Sequence, residues 1–191
     1  MHETIKFMTF KTPVLFLINT RQHSFMENNY TKAQLTWLVI LRLFIGWNIL
    51  FEGMVKVLNP NWTAKSYLLD SQGPFSSMFI NMAGNDGLMK YVDFLNEWGL
   101  VLVGLGLFIG CFTRLACIGG MILLLLYTMS HPSLIGVEYM MPFEGTYFLI
   151  DKNLIEFAGL GLLFVFPAAR VIGIDRWLIG VLPEGFRKFV I

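Results

Sequence analysis

Charge is scarce in this chain: Asp, Glu, Lys and Arg make up 14% of 191 residues, against about a quarter in ordinary soluble domains. Cysteine is scarcer still. Cys111 and Cys117 stand six apart around a short turn, with no CxxC pair and no neighbouring histidine, so they read as small apolar packing residues rather than metal ligands. His2, His23 and His131 are the only histidines, and a bis-histidine haem would need one from the N-terminal tail. No metal or flavin motif is present. The net charge of +1 is spread along the chain without a basic stripe, which excludes the electrostatics of a nucleic-acid binder.

What remains is apolar. Hydrophobic residues fill 55% of positions and mean hydropathy is +0.63, the composition of an integral membrane protein. Crossing a hydrocarbon core of roughly 30 Å takes about 20 helical residues. Four segments approach that length: Leu35 to Val57, Tyr91 to Cys111, Leu115 to His131 and Asn153 to Ala169. The expected fold class is therefore all-α, a polytopic four-helix transmembrane bundle, with the last two spans lengthened by flanking residues or held upright. Glycines such as Gly99, Gly104, Gly119 and Gly159 let helices approach closely, and Gly106 to Gly110 is a GxxxG match compatible with a homodimer.

Residues 1–30 read as an extension without a secretory signal pattern, 31–177 as the membrane domain and 178–191 as a tail. Lys and Arg concentrate in the N-terminal tail, the Phe112 to Arg114 turn and the C-terminal tail. Aspartate and glutamate gather on the opposite side. The expected location is the cell membrane, multi-pass, with both termini cytoplasmic. Asn59 to Lys90 forms a long outer connection with an apolar patch at Phe75, Met78, Phe79 and Ile80, expected to fold as short amphipathic helices. Pro132 to Lys152 is a second outer connection, carrying Tyr139, Pro142, Phe143 and Tyr147.

The polar residues inside this apolar frame are the candidates for function. An ionisable group near hydrocarbon costs about 2.5 to 3.5 kcal/mol on insertion scales, so it turns toward a bundle interior or a wet cavity. Glu52 and Lys56 have the favourable i to i+4 order for a helical ion pair. Glu97, His131, Lys152 and Glu156 should reach the same level from the other three spans. Together these six residues are the expected substrate-binding set. Each has a plainer alternative: a snorkelling lysine, a solvated helix-start acid, or an interfacial ring ending a helix. Arg42, two turns inside the other end, either snorkels to phosphates or makes a buried contact, and Arg114 reads as a structural charge at the same surface.

Several short stretches resemble the DoxX family, in particular its branch containing the DoxD-like small subunit of thiosulfate:quinone oxidoreductase. They are Leu41-Arg42 with Gly46, Glu52-Gly53 and Lys56; Asn61-Trp62 and Tyr67-Leu68; Gly99, Gly104, Gly110 and Thr113-Arg114; Lys152 to Glu156; and Gly173-Ile174-Asp175-Arg176. The resemblance covers roughly Thr31 to Trp177. It implies a four-helix membrane bundle and a subunit that passes electrons to the quinone pool, with quinone as cofactor and a redox partner subunit. The alternative is a non-enzymatic scaffold or a lipid- or small-molecule-binding protein, because the chain has no redox centre of its own. A transporter is a weaker fit, since no inverted repeat or broken mid-membrane helix is visible. Met26 precedes a polar segment and the first span, so intact-mass measurement is expected to find a mature chain beginning there; a mass matching Met1 would refute that start.

Overall fold

The structure, a computed structural model, describes residues 30–140, 148 and 150–183. The 1–29 extension, Pro142, Phe143, Tyr147 and the tail from 184 lie outside the described residues, and with them the expectations placed there. Regular structure among the described residues is entirely helical: α1 (Lys32–Val57), α2 (Lys65–Leu69), α3 (Ser76–Ala83), α4 (Asp86–Ile109), α5 (Thr113–Ser130), α6 (Lys152–Val165), a 3-10 turn (Ala168–Arg170) and α7 (Asp175–Val181). Three of these, α1, α4 and α5, are long and apolar enough to cross a membrane. The chain is a membrane protein.

Local chemistry sets the helix ends. Thr31 and Gln34 form a reciprocal capping box that starts α1 three residues before Leu35. Asn85 accepts from the backbone N–H groups of Gly87 and Leu88, so α4 begins at Asp86 rather than at Tyr91. It ends where Gly110 turns left-handed at φ 70° and Cys111 N donates back to Gly106 O at 2.8 Å, a Schellman-type stop. The expected Asn153 to Ala169 span is a helix of only 14 residues, about 21 Å long. Pro167 disfavours helical backbone at Phe166 and cannot donate to a continuing ladder, so the chain passes into the 3-10 turn.

α1 packs most extensively on α4, α5 touches both α4 and α6, and α6 closes back onto α1. Ile45, Ile49, Leu100, Leu107, Cys117, Leu124, Leu160 and Leu163 meet at the centre. Cys117 is wholly buried there, as its packing role predicts. The α1–α4 seam depends on small residues, because a Cβ at Gly104 would overlap the Leu50 backbone. The connection between α1 and α4 folds α2 and α3 around Ala64, Leu68, Phe79, Ala83 and Met89, a second small core roofing one end of the bundle.

The opposite end is held by one buried acid. Asp175, 1% exposed, accepts from Phe112 N at 2.6 Å and Thr113 N at 3.0 Å, capping α5 from outside the helix. Its own N–H donates to Gly110 O at 2.8 Å. Phe112 has a left-handed backbone, φ 50°, an unfavourable conformation for a residue with a Cβ that this pair of bonds helps to hold. Arg42 is buried and donates from Nη1 to Ile172 O at 2.7 Å, which selects its buried contact over snorkelling. Replacing Asp175 by Asn sets an amide donor against a backbone N–H. Asp175→Asn is expected to destabilise by on the order of 2 to 4 kcal/mol, and Gly104→Val by at least about 1 to 3 kcal/mol; denaturation in detergent checks both, and unchanged midpoints would contradict the packing described.

Candidate functional site

Acids near the roofed end divide into two groups. Asp93 accepts from Ala64 N at 2.8 Å and Thr63 Oγ1 at 2.9 Å, anchoring the start of α2. Asp151 caps α6 by accepting from Leu154 N at 2.9 Å. Both are occupied by structural work. Glu52 and Glu156 lie within helices, a turn or more from the ends, and their carboxylates are met by side chains from other helices instead.

Asn48, Glu52 and Lys56 recur every four residues and form one polar stripe on α1. Glu52 faces Lys152 of α6, Oε1 to Nζ 3.7 Å. One turn deeper, Asn48 donates from Nδ2 to Glu156 Oε1. These two cross-helix contacts border a cleft that Tyr127 and Asn153 also line, with Ile49, Leu100 and Leu124 closing it at depth. Its volume is about 10 Å³, roughly the room one water needs. Asn48 and Lys152 are exposed in the structure, so the cleft opens sideways between α1 and α6.

Lys56 belongs to a neighbouring arrangement. Its ammonium donates to Asn96 Oδ1 at 2.9 Å and Tyr127 OH at 3.3 Å, and lies 5.1 and 5.2 Å from the Trp62 and Tyr127 ring centroids. The expected Glu52–Lys56 ion pair is therefore corrected: Glu52 pairs with Lys152, and Lys56 turns to an amide and two rings. A long lysine stem reaches the α4–α5 interface more easily than it folds back along its own helix. Tyr127 connects the two arrangements, since it both lines the cleft and binds Lys56.

The remaining two expected site residues stand apart. Glu97 is half-buried and outside the cleft lining. Adjacent helix positions differ by about 100°, and it is Asn96 that faces Lys56. His131 lies in the roof, 5% exposed, stacked on Tyr67 with centroids 3.8 Å apart and tilted against Tyr139 at 4.6 Å. Nδ1 shares a hydrogen bond with Ser130 Oγ at 3.0 Å, while the buried Nε2 has no hydrogen-bond partner among the described residues. Tyr67 OH donates to Tyr127 O at 3.5 Å, linking roof and cleft through the aromatic side chains.

Of the six residues expected to converge, Glu52, Lys152 and Glu156 share the cleft, Lys56 adjoins it, and Glu97 and His131 do not enter. Asn48, Asn96, Asn153 and Tyr127 are the polar members that charge-based reasoning passes over. The Asn48–Glu52–Lys56 spacing was a usable signal for the first. Chemically the cleft offers two carboxylates against one ammonium, with an amide donor between the helices, a set that can orient a polar head group and hold a proton. Comparison with family models, curated proteins and solved structures finds no match for this chain.

Burial pushes the His131 pKa below its usual 6.5, partly opposed by the nearby Asp70 carboxylate. Burial likewise raises the flanking Tyr67 and Tyr139 hydroxyls, which stay neutral. Because the folded ring binds its proton less readily than the unfolded one, roof stability is full above about pH 6.5 and falls as pH drops toward the lowered value. Thermal unfolding in detergent is expected to weaken over that window and His131→Gln to flatten the trend; parallel decline in both proteins would assign the effect to another group.

Proposed function

We propose that this chain is a four-span membrane protein of the DoxX type, serving as the membrane subunit of a quinone-linked oxidoreductase similar to thiosulfate:quinone oxidoreductase. The pairing of Glu52 with Lys152 and of Asn48 with Glu156, across apolar helices, is the observation that carries this reading. Charged groups at such depth are retained for ligands, protons or partners far more often than for stability. On this reading α6 and its following turn make the fourth crossing, supported by the packing of α6 between α5 and α1. The basic end lies in the cytoplasm and the roofed end outside, in keeping with the lysine and arginine distribution.

The donor set suits a carbonyl-bearing ring, since Lys152 and Asn48 can each donate to an oxygen. The closed cleft does not: about 10 Å³ admits a water, not a ring. Quinone binding on this reading therefore requires Lys152 to swing away from Glu52. Both side chains are partly exposed, 47% and 38%, and the 3.7 Å Glu52–Lys152 contact is a loose, solvent-screened one.

The narrowness of the cleft favours a second reading, a non-enzymatic scaffold or small-molecule binder in which the same pairs hold α1 against α6. Purified protein should retain extractable quinone and reduce it with thiosulfate once its partner subunit is added. Glu52→Gln and Glu156→Gln are expected to lower bound quinone by on the order of tenfold while leaving the fold intact. Absence of quinone and of turnover in the wild-type complex would overturn the oxidoreductase reading. Glutamine variants that keep every partner and every ligand would favour the scaffold.

A further inference from the structure

After α6 and the 3-10 turn the chain returns to the ends of two spanning helices before it forms α7. Ile174 N donates to Ile109 O at 3.4 Å and Asp175 N to Gly110 O at 2.8 Å, so the first residues of α7 are bonded to the end of α4. The Asp175 carboxylate accepts from Phe112 N and Thr113 N, where α5 begins. With 24 residues α4 is about 36 Å long, enough to cross the hydrocarbon core and end among the headgroups. α7 therefore starts at the membrane boundary, and these four bonds hold it there.

At about 100° per residue, the segment from Ile174 to Leu182 has three distinct faces. Asp175, Leu178 and Leu182 turn inward, buried or half-buried, and α7 packs on the 3-10 turn. Arg176 and Gly180 share an exposed second face. Ile174, Trp177 and Val181, spaced three and four apart, form the third, with 46%, 78% and 84% exposure. This stripe continues the lipid-facing surface of the spanning helices: Ile109 and Phe112, whose backbones are bonded to Ile174 and Asp175, are exposed, as is Leu115 in the first turn of α5. A helix projecting into water would leave Trp177 and Val181 solvated, whereas one lying in the interface buries them and seats an indole at the headgroup level it favours. An apolar stripe with an arginine beside it is the pattern of such a helix.

We propose that α7 is an interfacial helix, lying in the plane of the bilayer with Ile174, Trp177 and Val181 set into the headgroup and upper acyl region of the leaflet at that end and Arg176 turned toward the phosphates. The bilayer is the partner of this face, and the contact does not depend on what the Glu52–Glu156 cleft binds. In proteoliposomes of W37F/W47F/W62F/W98F, where Trp177 is the one tryptophan left of five, 5-doxyl phosphatidylcholine should quench its emission at least about twofold more than 16-doxyl phosphatidylcholine. Aqueous iodide should quench it on the order of fivefold less than it quenches free N-acetyltryptophanamide. Iodide quenching equal to that of the free compound would put the face in water and overturn the proposal. Quenching by neither reagent would show the face covered by another segment, a second copy or another protein, and would overturn it too, as would a deep label that quenches as well as the shallow one. If the fourfold variant does not fold, C111S/V181C carrying a nitroxide reads the same depth, since Cys117 is wholly buried. More collision with oxygen than with a water-soluble nickel chelate supports the proposal; equal or less overturns it.

Discussion

A carboxylate drawn away from bulk water has to find its hydrogen bonds within the protein, and the two ends of this bundle meet that demand differently. At the α7 end Asp175 accepts two backbone N–H groups at the start of α5, so its charge is spent on joining α4, α5 and α7 into one corner. At the roofed end Glu52 and Glu156 are met by side chains from a facing helix, and those contacts can be exchanged. Backbone donors are fixed in place once the helix forms. Side-chain donors retain rotamers, so the second arrangement is the one whose partners can change.

The roof and the cleft are connected through aromatic side chains and through the Lys56 ammonium, which meets Trp62 of the roof and Tyr127 of the cleft. Tyr127 contributes to both the cleft wall and the Lys56 contacts, while Tyr67 stacks on His131 and reaches the Tyr127 carbonyl. The connection between α1 and α4 is thus tied to α5: Ser71 Oγ and the N–H groups of Gln72 and Gly73 all donate to Ser130 O. That carbonyl would otherwise be left without a helical partner at the α5 C-terminus. A polar requirement of the helix end therefore positions the roof over the cleft.

Hydrophobic length was enough to locate α1, α4 and α5, because the cost of crossing hydrocarbon constrains composition over about 20 residues at a time. Helix ends were less legible. Asn85 and Thr31 are recognisable caps once the boundary is known, but Asp175 caps α5 from more than sixty positions away, beyond the reach of any local pattern. α6 stops early at a proline that is plain to see, yet the apolar run through it continues to Ala169 and conceals the break.

Taken alone, the amino-acid order determined a membrane-embedded helical protein, the segments that had to be buried or lipid-facing, and the few charges that lie inside or at the ends of those segments. Partner choice was decided only in three dimensions. Lys56 had Glu52 at the favourable helical spacing and took Asn96 and Tyr127 instead, Glu97 yielded its place to Asn96, and His131 went to an aromatic stack. Spacing along one helix fixes the face a side chain occupies, whereas the atom it finally meets depends on the rotation and depth of the helix opposite, which no single segment encodes.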